Sequence, residues 1–562
     1  MDTKAPHAAD EKHFSSDDEK AMGPPAYSGA AGHVEVAPGG QRELSRALKG
    51  RHMQMIAIGG SIGAGLFVGS GGALYTGGPG SLLVGFIIIG AMLLFTVQAL
   101  GELAVLYPVN GAFYMYAVRF VDPAWGFAMG WEYTLSWLVI LPFEITAAGI
   151  TIEFWRDDIN IGVWVAVFLT LLVLVQFFAV RGYGEVEFVL GIIKIIAVIG
   201  FIFLGVIINC GGVPTDDRGY IGAEYWHKAN NPDSTREAFK NGFKGFCSVF
   251  VTAAFAFAGT ELVGLAAAEA EDPRKTLPKA TKQVFWRIAV FYILSLFILG
   301  LILPSDDEQL LGASGANTKA SPFVLAIKAA GIAGLPSVFN AVITLSVISV
   351  ANSATFASTR TLQALAMNRM APSFFKYVDP QGRPLWCIIL QLVFGLLAFI
   401  NEADVGTKVF TWLLSLSALN NLFVWASICL SHIRFRRGWA AQGHTLDELP
   451  FKAEFGVIGS YIGFFLNVIA LLATFYVSLF PIGSDPDPET FFQTFLSAPI
   501  AIALYAFWKV KTRGGPGLYV RSHQMDLLTG LREFNPEILD MEKKQKWGLR
   551  DMPARLYHAI FI

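Results

Sequence analysis

The chain has 562 residues, of which 54% are hydrophobic and only 15% charged, where soluble globular chains carry about 25% charged residues. The missing charge points to lipid as solvent, and a formal net charge of -2 argues against nucleic acid as a partner. Cys210, Cys247, Cys387 and Cys429 match no metal-ligand spacing, so free thiols are expected, with a Cys210–Cys247 pair across the longest outer loop as the alternative.

Residues 1–50 are polar and rich in Ala, Gly, Pro and acidic side chains. They lack the apolar core of about 7–15 residues that marks a cleavable signal and are expected to form a disordered cytoplasmic tail. Apolar windows of about 20 residues, the length that crosses a bilayer, then follow at 53–75, 82–106, 127–150, 161–180, 188–208 and 245–266. Six more lie at 285–303, 336–359, 385–400, 409–431, 456–480 and 491–510. About twelve helices are predicted, in one polytopic domain over 51–510, followed by a cytoplasmic tail over 511–562. That tail ends in "MPARLYHAIFI", which reads as an interfacial helix or a sorting signal. With the N-terminus inside, the predicted inner loops hold 14 Lys and Arg and the outer loops 9. The positive-inside rule therefore puts both termini in the cytoplasm, although the 209–244 loop runs against the trend.

The first window contains "IGGSIGAGLFVGSGG". Glycine weakens a helix interior by roughly 1 kcal/mol relative to alanine, so this backbone is predicted to leave the helix. A phosphate-binding loop is excluded. The chain has no Gly-Lys dipeptide, Gly63, Gly65 and Gly69 miss the GxGxxG spacing, and no strand precedes them. The sixth window is interrupted in the same way, with Phe257-Ala258-Gly259-Thr260-Glu261 at its centre. The two breaks fall at matching places in two five-helix halves, which have opposite orientations because five is odd. Such a pair marks the midplane site of a secondary transporter. Unwinding bares N–H groups at one half-helix end and C=O groups at the other, which suits a small zwitterion. Close helix packing of the GxxxG kind is the alternative for the glycines.

Few ionisable residues lie inside the windows, and each is a functional candidate by position. Lys194 stands in "VLGIIKIIAVIGF". It either snorkels to the inner interface or, because burial favours the neutral amine, takes up and releases a proton. Glu144 and Glu261 are the buried carboxylates, suited to an ammonium, a proton or a structural partner. Glu132 is a further one, and Glu102 is expected to pair with a loop arginine. The stretch "SPFVLAIKAAG" in the 304–335 loop reads as an outer helix packing down as a lid.

The segments "GGSIGAGLFVGSG", "GELAVLYPVNGAF", "FAFAGTELVGLAAAE" with "DPRKTLPKA", "NSATFASTRTLQALA" with "GRPL", and "HIRFR" resemble the yeast amino acid transporter family. That family belongs to the amino acid–polyamine–organocation superfamily. The likeness is nearest to fungal general amino-acid permeases and runs from residue 45 to residue 530. It implies an all-α, five-plus-five inverted-repeat fold with two extra helices and with helices 1 and 6 broken. It also implies proton-coupled uptake of L-amino acids at the plasma membrane, with no cofactor beyond the coupling proton.

On the motif match, Ser61 and the backbone of Gly60, Ile62, Gly63, Ala64 and Gly65 bind the substrate carboxylate. The carbonyls of Phe255, Ala256 and Ala258 face its amino group, and Gly259 and Thr260 complete the break. Phe257 is an aromatic gate or a packed ring, and Glu261 lies beside the cavity or makes a structural bond across the break. Lys194 matches a lysine that stands where sodium-coupled relatives hold an ion. Asn352 and Ser353 form an inward-facing polar patch or bond between helices. Glu132 departs from the family, which has an uncharged residue there. The expected partners are the amino acid, the lipid bilayer, and sorting or ubiquitination machinery at the tails. The competing readings are a narrower permease for proline or basic amino acids, a non-concentrative nutrient receptor or channel, and a membrane enzyme. The last lacks a HExxH site and a nucleophile triad.

Overall fold

The computed structural model describes residues 48–531 except 60, 157, 229–233, 271–272, 314–320, 403–405, 513–516, 518 and 530. Among the described residues there is no β-strand, only an isolated bridge between Leu48 and Ala270. Most of the predicted N-terminal tail, and the end of the C-terminal one with "MPARLYHAIFI", lie outside the described residues.

Among the described residues seven helices are long and apolar enough to cross a membrane, or eight if the pair Pro488–Phe495 and Ser497–Lys511, bent by 64°, is one span. The twelve predicted windows all fall on helix, and the smaller number reflects fusion and shortening. The run Gly65–Leu106 holds two spans, folded back at Gly78, whose φ is 78°. The turn requires glycine there, because a Cβ would stand 2.4 Å from the Glu237 carbonyl oxygen. The amide of Gly80 donates to Ala238 at 2.8 Å, which pins the turn to the 209–241 loop. Three further windows appear as the shorter apolar helices Ile161–Gln176, Val290–Ile302 and Leu385–Ile400.

Burial separates central spans from lipid-facing ones. Nine-tenths of the apolar windows of Pro123–Ile152 and Gly242–Glu269 (spans three and six) are enclosed by protein, against a third of Gly182–Asn209 (span five). Span five shows why. Val189, Ile196 and Phe203, at seven-residue spacing, are exposed, whereas Glu187, Lys194, Phe201 and Ile208, at the same spacing, are buried. Two helical turns separate members of each stripe, so one face meets lipid and the other the bundle.

Both predicted breaks are present. The first helix, Gly50–Gly59, stops; a turn follows at Ser61; and a π-helical segment, Gly65–Gly69, resumes. In span six, Gly242–Phe257 ends at Ala258 in extended conformation (φ -55°, ψ 145°), Gly259 takes φ 94°, and Leu262–Ala266 resumes. The two breaks meet backbone to backbone, since a Cβ on Gly65 would lie 2.6 Å from the Ala256 Cα. Gly65 and Gly69 are therefore contact glycines facing span six, as the packing alternative had it, and the loss of helix falls just before them.

The predicted lid is the helix Pro322–Ala329, with Phe323 fully buried. Phe323 meets the π-segment's Phe67 edge to face at 5.3 Å, and the Ser321 hydroxyl donates to the Phe67 carbonyl at 2.6 Å. The opposite end of the bundle, here the terminal face, carries both ends of the described chain. There the predicted C-terminal tail begins as packed structure. Val520 donates to the Val121 carbonyl at 2.8 Å, Tyr107 to Leu527 at 2.8 Å and Arg119 to Thr529 at 2.6 Å. Cys210 is exposed, Cys247 is buried, and both are free thiols.

Forcing a methyl group against backbone destabilises by about 1–3 kcal/mol. Gly65→Ala should therefore lower the thermal unfolding midpoint of the purified protein. Gly200→Ala is the control, because nothing stands within 4 Å of its Cβ position. An unchanged midpoint for Gly65→Ala would show that the two breaks do not press together there.

Candidate functional site

Between the breaks lies a small cavity of about 10 Å³, room for little more than a water molecule, walled by Ser61, Gly63, Gly65, Trp137, Ile140, Glu144, Phe255, Ala258 and Val350. Spans one, three, six and eight all contribute. Of the residues predicted from sequence, Ser61, Gly63, Gly65, Glu144, Phe255 and Ala258 border the space. Ile62, Ala64, Ala256, Phe257, Gly259, Thr260 and Glu261 form the breaks behind it, and Gly60 lies outside the described residues. Trp137, Ile140 and Val350 were not singled out, because an apolar side chain in a membrane helix looks alike whether it faces a cavity or a neighbour.

The backbone released at the breaks is held by side chains. The hydroxyl of Tyr292, in span seven, stands between the carbonyls of Ser61 and Ala256, 2.7 Å from the latter. One O–H thus bridges both breaks. Tyr292 stacks on Phe257 at 4.6 Å, and Phe257 also meets Phe86 at 5.7 Å. Phe257 is accordingly packed behind the wall in this conformation. The aromatics at the cavity are Trp137 and Phe255, the latter edge-on to Phe143 at 5.1 Å. Tyr292 escaped the sequence reading, although a phenol inside an apolar window needs a partner and that need was a usable signal.

Glu261 is fully buried and turned into the second break. Its Oε1 accepts from the Tyr133 hydroxyl at 3.0 Å, its Oε2 from the Trp425 indole at 3.2 Å, and both from the Gly259 amide at 3.2–3.3 Å. Spans three, six and ten are tied at this carboxylate, the structural arrangement of the two that the sequence left open. Glu132 is also buried, with Oε2 accepting from Ser497 at 3.0 Å and Oε1 without a partner among the described residues.

Glu144 does face the cavity. Its Oε1 lies 3.6 Å from where a Gly63 Cβ would stand, and the Ala64 amide donates to its carboxylate. Lys194 is 1% exposed, which removes the snorkelling alternative, and its ammonium interacts with the charges of both Glu144 and Glu187. Glu187 was missed. The Ser349 hydroxyl donates to its Oε2 at 2.6 Å and the Asn352 amide to its Oε1 at 2.9 Å. The Tyr183 hydroxyl donates to Ser353 at 3.2 Å. The polar patch of span eight thus turns towards span five and holds a carboxylate there. Spacing could have found it, because Glu187 and Lys194 stand seven residues apart on one helical face.

The terminal face has its own buried charges. Arg360 pairs with Glu269 at 3.0 Å, and the Leu48 amide donates to the Glu269 carbonyl at 3.1 Å. Glu102 receives Arg436 at 2.6 Å and His432 at 2.9 Å, so its expected arginine partner is present, on the extension of span ten. Among the described residues no group of three or more His, Cys, Asp and Glu converges as a metal site.

Residues 52–516 match the family described as amino acid permease. The general amino-acid permease GAP1 of Saccharomyces cerevisiae is 51% identical over 518 residues, 92% of this chain and 85% of its own. The cationic amino acid transporter 1 of Schizosaccharomyces pombe is 52% identical over 512 residues, 89% of this chain and 84% of its own. Among solved structures, a manganese transporter of Eremococcus coleocola aligns with a TM-score of 0.50 over 82% of this chain and 94% of its own, at 14% identity. That likeness speaks for the fold alone. The family match and the two permeases speak for more: the chain belongs to the amino acid permease family, multi-pass membrane proteins that carry amino acids across the bilayer.

Proposed function

We propose that the chain is a proton-coupled symporter that takes up L-amino acids of broad range across the plasma membrane, with its terminal face in the cytoplasm. The observation that carries this reading is the Glu144–Lys194–Glu187 set beside a cavity made from two helix breaks. With all three ionised, two carboxylates surround one ammonium and leave one negative charge in a low-dielectric place. Such a charge is costly unless neutralised. The substrate's ammonium can pair with it locally, but the zwitterion brings its own carboxylate, so only a proton brings the sum to zero and favours a transport step with no net charge to move.

The substrate carboxylate is assigned to the amides around Ser61, Gly63 and Gly65, at the positive end of a half-helix. Its ammonium is assigned to Glu144 and the carbonyls of Phe255 and Ala258. The Ala256 carbonyl, also expected there, lies behind the wall and receives Tyr292. The apolar walls Trp137, Ile140 and Val350 suit varied side chains. The name of GAP1 supports a broad range, whereas that of the cationic transporter favours basic substrates, a second reading that Glu144 at the wall also suits. Competition by neutral against basic amino acids separates the two. The tails, with Lys4, Lys12 and Lys20, are where sorting or ubiquitination machinery would act.

Two outcomes test this. Uptake of labelled amino acid should persist when sodium is replaced by choline, rise as external pH falls, and collapse with a protonophore. Lys194→Arg should abolish accumulation, because a guanidinium stays protonated. If that variant concentrates amino acid as wild type does, Lys194 is not the carrier.

Glu261→Gln places an amide where three donors point. One buried donor is left unmatched, at about 1–3 kcal/mol. The variant should unfold at lower temperature and transport more slowly while keeping the wild-type pH profile. A shifted pH profile would move Glu261 into the proton machinery.

A further inference from the structure

Glu187 is a fully buried carboxylate that substrate binding does not use. It precedes Lys194 by seven residues on span five, so their Cα atoms lie about 10.5 Å apart along the helix. Both side chains lie on the buried face of the helix. The two charges interact, as do those of Lys194 and Glu144.

The groups that interact with Glu187 lie on two spans: Tyr183 and Lys194 on its own helix, and Ser349, Asn352 and Ser353 on span eight. Glu144, on span three, faces Lys194. Beyond Tyr183 the series continues to the terminal face. Tyr183 stacks on Phe356 at 4.7 Å, the Arg360 guanidinium lies 4.6 Å over Phe356, and Arg360 pairs with Glu269.

The geometry points to Glu187 as a second proton-carrying residue, which receives the coupling proton from Lys194 and delivers it towards the terminal face. This rests on the proton-coupled reading above. In the transfer an N–H bond of the Lys194 ammonium breaks and an O–H bond forms on Glu187, giving a neutral amine and a carboxylic acid. No charge is separated. An ion pair is exchanged for two neutral groups, which low-dielectric surroundings permit. The site accommodates both forms. The Ser349 hydroxyl donates to the carboxylate and can turn to accept from the acid, while Asn352 stays on the other oxygen. The proton leaves when the Arg360–Glu269 closure parts, which restores the carboxylate.

The bland alternative is a tie between spans five and eight. Glu187→Gln separates the two, because glutamine keeps the shape and can bond both Ser349 and Asn352 but carries no proton. In proteoliposomes with an imposed pH gradient, the initial rate of net amino-acid uptake by this variant should fall about a hundredfold, the loss of rate typical of removing a proton-transfer group, and accumulation should be lost. Exchange of internal for external amino acid, which needs no net proton release, should fall far less than accumulation does. Glu187→Asp, still a carboxylic acid, should recover accumulation in part. Accumulation at wild-type level in Glu187→Gln overturns the proposal. So does loss of exchange together with accumulation in both variants, which is the outcome a structural tie predicts. Should the wild type itself fail to accumulate on the pH gradient, the proton-coupled reading falls, and this inference with it.

Discussion

A main-chain amide or carbonyl released from a helix inside a bilayer has no water to bond and must find its partner within the protein. This chain releases such groups twice, around Ser61 and around Ala258, and the rest of the centre is arranged to receive them. Tyr292 comes from span seven to the Ser61 and Ala256 carbonyls. Glu261 folds back on the Gly259 amide, and Glu144 comes from span three to the Ala64 amide. Each is itself buried and therefore needs further partners. Glu261 brings in Tyr133 and Trp425, and Glu144 brings in Lys194. Two local losses of helix thereby recruit spans three, five, seven and ten.

The close contact of the breaks follows from the same need. A single hydroxyl spans carbonyls of two chain segments only where those segments touch, and Gly65 against Ala256 is that touch. The glycines of the two breaks serve two different purposes. Gly259 has the positive φ that lets the chain turn, whereas Gly65 keeps helical backbone and gives up its side chain for proximity. Composition alone cannot divide those purposes, since both appear as glycine in an apolar run.

The spans and both breaks were legible because hydropathy and glycine are local signals. Lys194, Glu144 and Glu261 were legible because a charge inside an apolar window stands out. The residues missed share another cause. The fifth window begins at 188, one residue after Glu187, because a hydropathy window ends where charge begins. Span five itself begins at Ala179. Glu269 and Arg360 were lost at window edges in the same way, yet both side chains are almost wholly buried. A fold buries charge by pairing it across elements far apart in sequence, 91 residues in this case, and no window sees such a pair.

The buried charges can be compared by their balance. Glu269 with Arg360 is one acid and one base, as is Glu102 with Arg436, to which His432 adds a neutral or positive ring. Pairs of this kind hold elements together, and losing one partner costs about 3–5 kcal/mol because the other is left uncompensated. The set at Lys194 is different, with two acids on one base. Ionised together, they leave one negative charge that the set itself does not pair, and in the proposed coupling a proton or an ammonium neutralises it. The balanced pairs lie near the terminal face, where they close the bundle. The unbalanced set adjoins the cavity, where an imbalance can be turned into a preference for cargo.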